Sequence, residues 1–320
     1  MTTPYRFGLT ALLLLILAGC SATPQTRSLL DNRADLPLAA KRELTEVPFH
    51  PQEEYQCGPA ALATILNASG VTVAPDELTP RVYVPKRKGS FQVEMQTATR
   101  HYRRLAYPLE PSLETLLQTV DAGYPVLVLQ NLGLDWYPQW HYAVVVGYDL
   151  DRGEIILRSG VTERYVVGLK LFERTWRRGK HWALVALKPG QLPPRADAKR
   201  YFLAAAAFEP QAGFDKARKA WLTGLSRWPN HREMLMGYGN LLYVQGDPAS
   251  AGAQYRRVTE LYPDYAPALN NLAQSLIDTG RAAEAVRYAE RAVERAGEQE
   301  AVLYRETLEQ AEKAVLNSRR

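Results

Sequence analysis

The second half of the chain repeats itself every thirty-four residues, and few folds tolerate that. Trp228-Pro229-Asn230 returns as Tyr262-Pro263-Asp264, Gly246 as Gly280, Ala251 as Ala285, and Gly239 as Ala273. A period of this length marks stacked supersecondary units that bury apolar faces only against their neighbours. Apolar residues at helical spacing between the marks predict helix pairs over about 196–228, 232–262 and 266–296, with a capping helix near 300–317. The prolines stop the second helix of each pair. Small residues at Gly239, Ala251, Ala273 and Ala285 let paired helices approach closely.

The period and the small/aromatic pattern resemble tetratricopeptide repeats. That resemblance implies an all-α solenoid over 196–320 whose concave face binds a protein or peptide partner. A plain helical bundle is the alternative. Pro189-Gly190-Gln191-Leu192-Pro193-Pro194 precedes the repeats and reads as punctuation, with a linker at 191–195.

The first half has no such period. Its focus is Gln52-Glu53-Glu54-Tyr55-Gln56-Cys57-Gly58-Pro59-Ala60-Ala61-Leu62. Gly58 permits a tight bend, Pro59 suits a first helical position, and the apolar residues after it predict a short buried helix ending near Asn67 and Gly70. A thiol at a helix start meets unpaired N–H groups and the positive end of the dipole, which favour the thiolate. Against this stands the commoner role of a lone cysteine as a small buried hydrophobe.

The amino terminus reads as an address. Arg6 precedes the short apolar run Leu9–Leu17, which is too short for a stable span, and Leu17-Ala18-Gly19-Cys20 follows. The tetrapeptide resembles a bacterial lipobox, which implies a signal peptide over 1–19 and lipidation of Cys20. Ser21 in place of Asp implies outer-membrane sorting facing the periplasm. Cys57 is then the one thiol left, in an oxidising compartment and without a disulfide partner. Residues 20–45 are polar, without sustained periodicity, and read as a tether.

A globular unit is expected over 46–190. Helices are predicted at Gln92–Arg104, at Ser112–Asp121 with Ser112 as cap, and at Leu169–Arg177. Strands are predicted at Pro125–Gln130, His141–Tyr148, Glu154–Ser159 and His181–Leu187. With a turn near Asp151, His141 falls opposite Val161, which makes Ser159 its diagonal neighbour.

Gln52 with Cys57-Gly58-Pro59-Ala60, then Pro125-Val126-Leu127-Val128, then His141-Tyr142-Ala143-Val144-Val145, then Leu171-Phe172, Trp176 and Gly179, resemble the bacteriocin-processing peptidases. These are papain-like cysteine peptidases that cut double-glycine leader peptides. The resemblance implies an α+β papain-like domain with Cys57 as nucleophile, His141 as base and acid, and Gln52 as oxyanion donor. It also implies no cofactor.

Two departures stand out. The family sets an Asp on the return strand where this chain has Arg158-Ser159-Gly160, so Ser159 takes the orienting position without a charge. Gln52 lies five residues before Cys57 where six is usual, with Gln56 as the alternative.

Trp136, Tyr137 and Trp140 either shape a substrate groove or pack beneath a loop. His50, His101 and His231 carry weaker signals, and His181 beside Trp182 reads as half-buried. No spacing suggests a metal site. The net charge of +5 is modest and its clusters, Lys86-Arg87-Lys88 and Arg177-Arg178, read as solvated rather than nucleic-acid-binding. Three readings stay open: a cysteine peptidase of the cell envelope with a partner-binding repeat domain, a degenerate peptidase-fold adaptor, and an acyl transferase or amidase using the same dyad.

Overall fold

In the computed structural model, residues 23–52, 56–87 and 89–318 are described. Two compact units divide them, one running to Lys188 with 193–197, the other holding 189–192 and the chain from Ala198 onward.

The first unit is built on a mixed-length antiparallel sheet. Its strands are β1 (Lys41–Glu43), β2 (Leu105–Pro108), β3 (Val126–Asn131), β4 (Trp140–Asp149), β5 (Glu154–Ser159), β6 (Thr162–Gly168) and β7 (Ala183–Leu187). The order across the sheet is β2-β7-β3-β4-β5-β6, and β1 adds to β4 beyond the end of the β3–β4 pairing. β3 and β4 form the spine because they are the most continuously apolar segments, buried along nearly their whole length.

Helices cover both faces. On one lie α2 (Cys57–Ala68), α3 (Pro75–Val82) and α4 (Gln92–His101). Their apolar residues share a core with Leu127, Leu129, Tyr142, Val144 and Val146. The other face carries α5 (Leu113–Asp121) and α6 (Leu169–Arg178), with Leu116, Leu117, Val120, Phe172 and Trp176 fully buried. The β4–β5 register slips between Val145 and Gly147. That bulge turns Tyr148 toward α5, where its hydroxyl donates to Asp121 at 2.8 Å. Gly147 is required here, because a Cβ would lie 2.5 Å from the Arg42 carbonyl of β1.

The segment expected to be a tether is folded. α1 (Pro24–Asp31) buries Thr26 and Leu29. The carboxylate of buried Glu173 accepts from the backbone N–H groups of Gln25 (3.1 Å) and Thr26 (2.7 Å). Those are orphan donors of the first helical turn, so the acid acts as a cap supplied from α6. β1 then pairs with β4 and hands the chain to Val47. Polar composition concealed this because the partners lie more than a hundred residues away. β2 and β6 were likewise not anticipated: β2 is short, and β6 is an edge strand whose residues are mostly exposed.

The second unit is a run of seven helices: α7 (Ala198–Ala212), α8 (Phe214–Arg227), α9 (Arg232–Val244), α10 (Pro248–Leu261), α11 (Ala266–Asp278), α12 (Ala282–Arg295) and α13 (Glu298–Ser318). They match the three expected pairs and the cap. Gly246 and Gly280 take left-handed φ values of +87° and +74° after α9 and α11. Ala251, Ala273 and Ala285 are fully buried. Gly239 lets the Tyr255 ring approach to 2.5 Å of where a Cβ would stand.

Candidate active site

Cys57 is the first residue of α2 and is partly buried against the core shared with β4. Backbone N–H groups of Tyr142, Gly58 and Cys57 itself face the sulfur and favour its thiolate. Burial opposes them and wins, so the thiol is pushed above its ordinary range. The helix-start position alone argued for a lowered value; the close packing of α2 on the sheet is what reverses the sign. That packing has a cause in sequence, since a Cβ on Gly58 would come within 2.2 Å of Ser90 Oγ.

His141 sits near the start of β4, one residue before the N–H that meets the sulfur. Its Nε2 lies 2.8 Å from Ser159 Oγ. The Val144↔Arg158 and Val145↔Leu157 pairs extrapolate to His141 opposite Val161, which leaves Ser159 diagonal. Burial lowers the His141 pKa from its ordinary value, and no carboxylate contributes.

Gln52 reaches the same place by its backbone, donating its N–H to the Gly160 carbonyl at 3.1 Å. The loop that precedes Cys57 is thereby tied to the hairpin that carries Ser159. Arg158, which sequence reading treated only as a departure, secures this arrangement. It is 5% exposed and its guanidinium donates to the carbonyls of Thr45, Val47 and Glu163. A buried arginine serving three carbonyls pins the 45–47 segment beside β5. An arginine inside an otherwise apolar strand was the available signal.

Trp136, Tyr137 and Trp140 are 81%, 64% and 55% exposed, so they do not pack beneath their loop. The β3–β4 turn is held by Asn131, whose Oδ1 accepts from the N–H groups of Gly133 and Gln139 at 2.9 and 2.8 Å. Phe91, Val93 and Val161 are also exposed, the first two next to Ser90 and the last beside Gly160. On the α2 side, Ser90 Oγ and Glu94 Oε2 are buried without a hydrogen-bond partner among the described residues. The Ser90 carbonyl takes the Tyr142 hydroxyl at 3.2 Å.

Two other histidines pack structurally. His50 Nε2 lies 3.0 Å from Asn67 Nδ2, and His181 packs edge-on against Trp176. Among the described residues no group of three His, Cys, Asp or Glu side chains is placed to hold a metal ion. Cys20 lies outside the described residues.

Residues 44–183 match the Peptidase_C39 like family, and residues 202–266 and 240–301 match the tetratricopeptide repeat. The chain joins a C39-like peptidase domain to tetratricopeptide repeats. Among solved structures, a protein described as a C39-like peptidase from Bacillus anthracis is 21% identical, covering 46% of this chain and 98% of that one, with a TM-score of 0.41. A double-glycine motif protease from an AMS/PCAT transporter, in complex with its leader peptide, is 22% identical over 47% of this chain and 95% of that one, TM-score 0.35. The Sgt2 repeat domain from Aspergillus fumigatus is 17% identical over 39% and 83%, TM-score 0.36. No curated protein matches the sequence.

Proposed function

We propose that the C39-like domain is a cysteine peptidase and that the repeats present it to a protein partner or substrate. The observation that carries this is the convergence of Cys57, His141 and Ser159 from α2, β4 and β5 on one spot, with Gln52 tied to the same hairpin.

The chemistry follows from the order of contacts. For His141 to act as base, Nε2–H donates to Ser159 Oγ and the Nδ1 lone pair is left for Cys57. With the thiol pushed up and the imidazole pushed down, the resting pair is uncharged. His141 therefore takes the Cys57 proton as sulfur attacks the scissile carbonyl. An S–C bond forms, and the Gln52 amide and the Cys57 N–H receive the oxyanion. His141 then protonates the departing amine as the C–N bond breaks. Water, deprotonated by the same imidazole, releases the acid and returns the thiol. The exposed aromatics of the β3–β4 turn form a wall for an extended peptide.

Cys20 is the proposed lipidation site, which places the protein at the outer membrane facing the periplasm. The repeats supply a protein-binding face, and neither nucleic acid nor a cofactor is needed. The test is exposure of a diverse peptide mixture to the purified protein and its Cys57→Ala variant. Cleavages that depend on Cys57 support the peptidase reading, and their absence overturns it. A second reading has one observation behind it: the partner of His141 is the uncharged Ser159 hydroxyl, beside a thiol that burial pushes up. A non-catalytic adaptor would show partner capture by the repeats with no Cys57-dependent cleavage.

A further inference from the structure

The docking of α1 fixes where the chain leaves the domain. Thr23, three positions beyond Cys20, is buried at the start of α1. The Glu173 carboxylate that caps α1 belongs to α6, so the chain emerges beside that helix. Leu169, Phe172, Glu173 and Trp176 are the buried side of α6. Lys170, Arg174 and Arg177 recur at i, i+4 and i+7 and so form one stripe. Glu173 is the helical neighbour of Lys170 and Arg177, at spacings of three and four residues, so the stripe borders α1. Lys170 and Arg177 are exposed and Arg174 is half-buried. Arg27 of α1 is exposed too, as is Lys180. Lys180 precedes His181, whose Nε2 lies 3.5 Å from Gln25 Nε2. The exposed carboxylates beside α1 and α6 are Asp31, Asp35 and Glu110, the last next to the Pro111 carbonyl that accepts from Gln25. Glu114 is paired with Arg195.

We infer that this α1–α6 flank is a docking surface for an anionic phospholipid headgroup layer. The inference rests on the proposed lipidation of Cys20 for its setting. With α1 folded onto the domain, no long tether remains between Cys20 and Thr23, so an anchored chain holds α6 at the headgroups. Five cations against three exposed carboxylates give that flank the sign an anionic leaflet attracts. The consequence concerns access. α1 and α6 cover the sheet face opposite α2, so docking there turns the Cys57 helix away from the bilayer, and substrate arrives from the aqueous side.

The experiment uses the full mature chain from residue 21 without lipid, co-sedimented with phosphatidylcholine vesicles that contain or lack phosphatidylglycerol. Salt-sensitive binding only to the phosphatidylglycerol vesicles is expected. The K170Q/R174Q/R177Q variant should bind about a hundredfold more weakly, from the usual contribution of each basic residue near such a surface. The control R81Q/R100Q/R103Q removes equal charge from α3, α4 and the turn after α4, on the other sheet face, and should bind as the parent does. Equal loss in both variants, or no loss in the first, overturns the inference. So does equal binding to vesicles lacking phosphatidylglycerol. Acyl-chain labelling of the full-length chain and of its Cys20→Ala variant tests the lipidation separately, so a failure of the anchor and a failure of the docking surface are told apart.

Discussion

The sheet unit and the repeat unit are stabilised by contacts of opposite range. In the sheet unit, Gln25 bonds the Glu173 carboxylate, Arg158 bonds the Val47 carbonyl, His141 meets Ser159, and the Tyr142 N–H faces the Cys57 sulfur. In the repeat unit each helix packs chiefly on the next, as when Tyr255 of α10 fills the space over Gly239 and reaches Asn240 of α9. A site made of four residues from different elements needs the first kind of order, because any slip of register separates them. A binding face needs only the second kind, because neighbouring units repeat the same local geometry.

The largest effect should follow from breaking the constellation itself. Cys57→Ala or His141→Ala should lower turnover by a factor on the order of 10⁴ or more, since nucleophile and base act as a unit. Neither should shift the melting transition by more than a few degrees. A His141→Ala protein that keeps most of its Cys57-dependent turnover would remove the base from the mechanism.

The next effect tests whether each unit owns its stability. Gly239→Val places a side chain where the Tyr255 ring lies 2.5 Å from an ideal Cβ. Overpacking of this sort costs about 2–3 kcal/mol. Gly147→Ala places a Cβ 2.5 Å from the Arg42 carbonyl and should release β1 at a cost of about 1–3 kcal/mol. Scanning calorimetry should show Gly239→Val lowering one transition and Gly147→Ala the other. If either substitution lowers both equally, the two units unfold as one and the contrast between them fails.

The same contrast explains what was legible. The repeats were readable nearly to the residue, because period, proline stops and small residues are all local signals. The spine of the sheet was readable from its continuous apolar runs, and the His141–Ser159 diagonal was expected from a turn near Asp151, although the register that delivers it is set by the slip between Val145 and Gly147 rather than by the turn alone. α1 was not, since its cap arrives from Glu173 and its own residues are polar. Nor was the sign of the Cys57 shift, which depends on how tightly Gly58 lets α2 approach Ser90. The clamp made by Arg158 was hidden for the same reason, as a strand arginine does not say which carbonyls it will serve.

The smallest effect lies at Ser159 and is the most informative about the site. Its hydroxyl holds Nε2 of His141 at 2.8 Å but contributes no charge, and burial keeps the imidazole pKa below its usual value. The base is therefore uncharged down to slightly acidic pH, and the acid limb of activity should fall below pH ~6.5, the ordinary histidine value. Ser159→Ala leaves the base in place and loses only its orientation, for which about tenfold lower turnover is expected, in line with one neutral hydrogen bond. Ser159→Asp sets a carboxylate against the ring and favours the imidazolium. The imidazole titration, followed by nuclear magnetic resonance, should then move to higher pH. An imidazolium beside Cys57 favours the thiolate, so alkylation of the sulfur should extend to lower pH than in the parent. Both shifts come from one charge and must appear together. If the imidazole titrates unchanged in a folded Ser159→Asp protein, the diagonal contact does not govern His141, and the orienting role passes to another group.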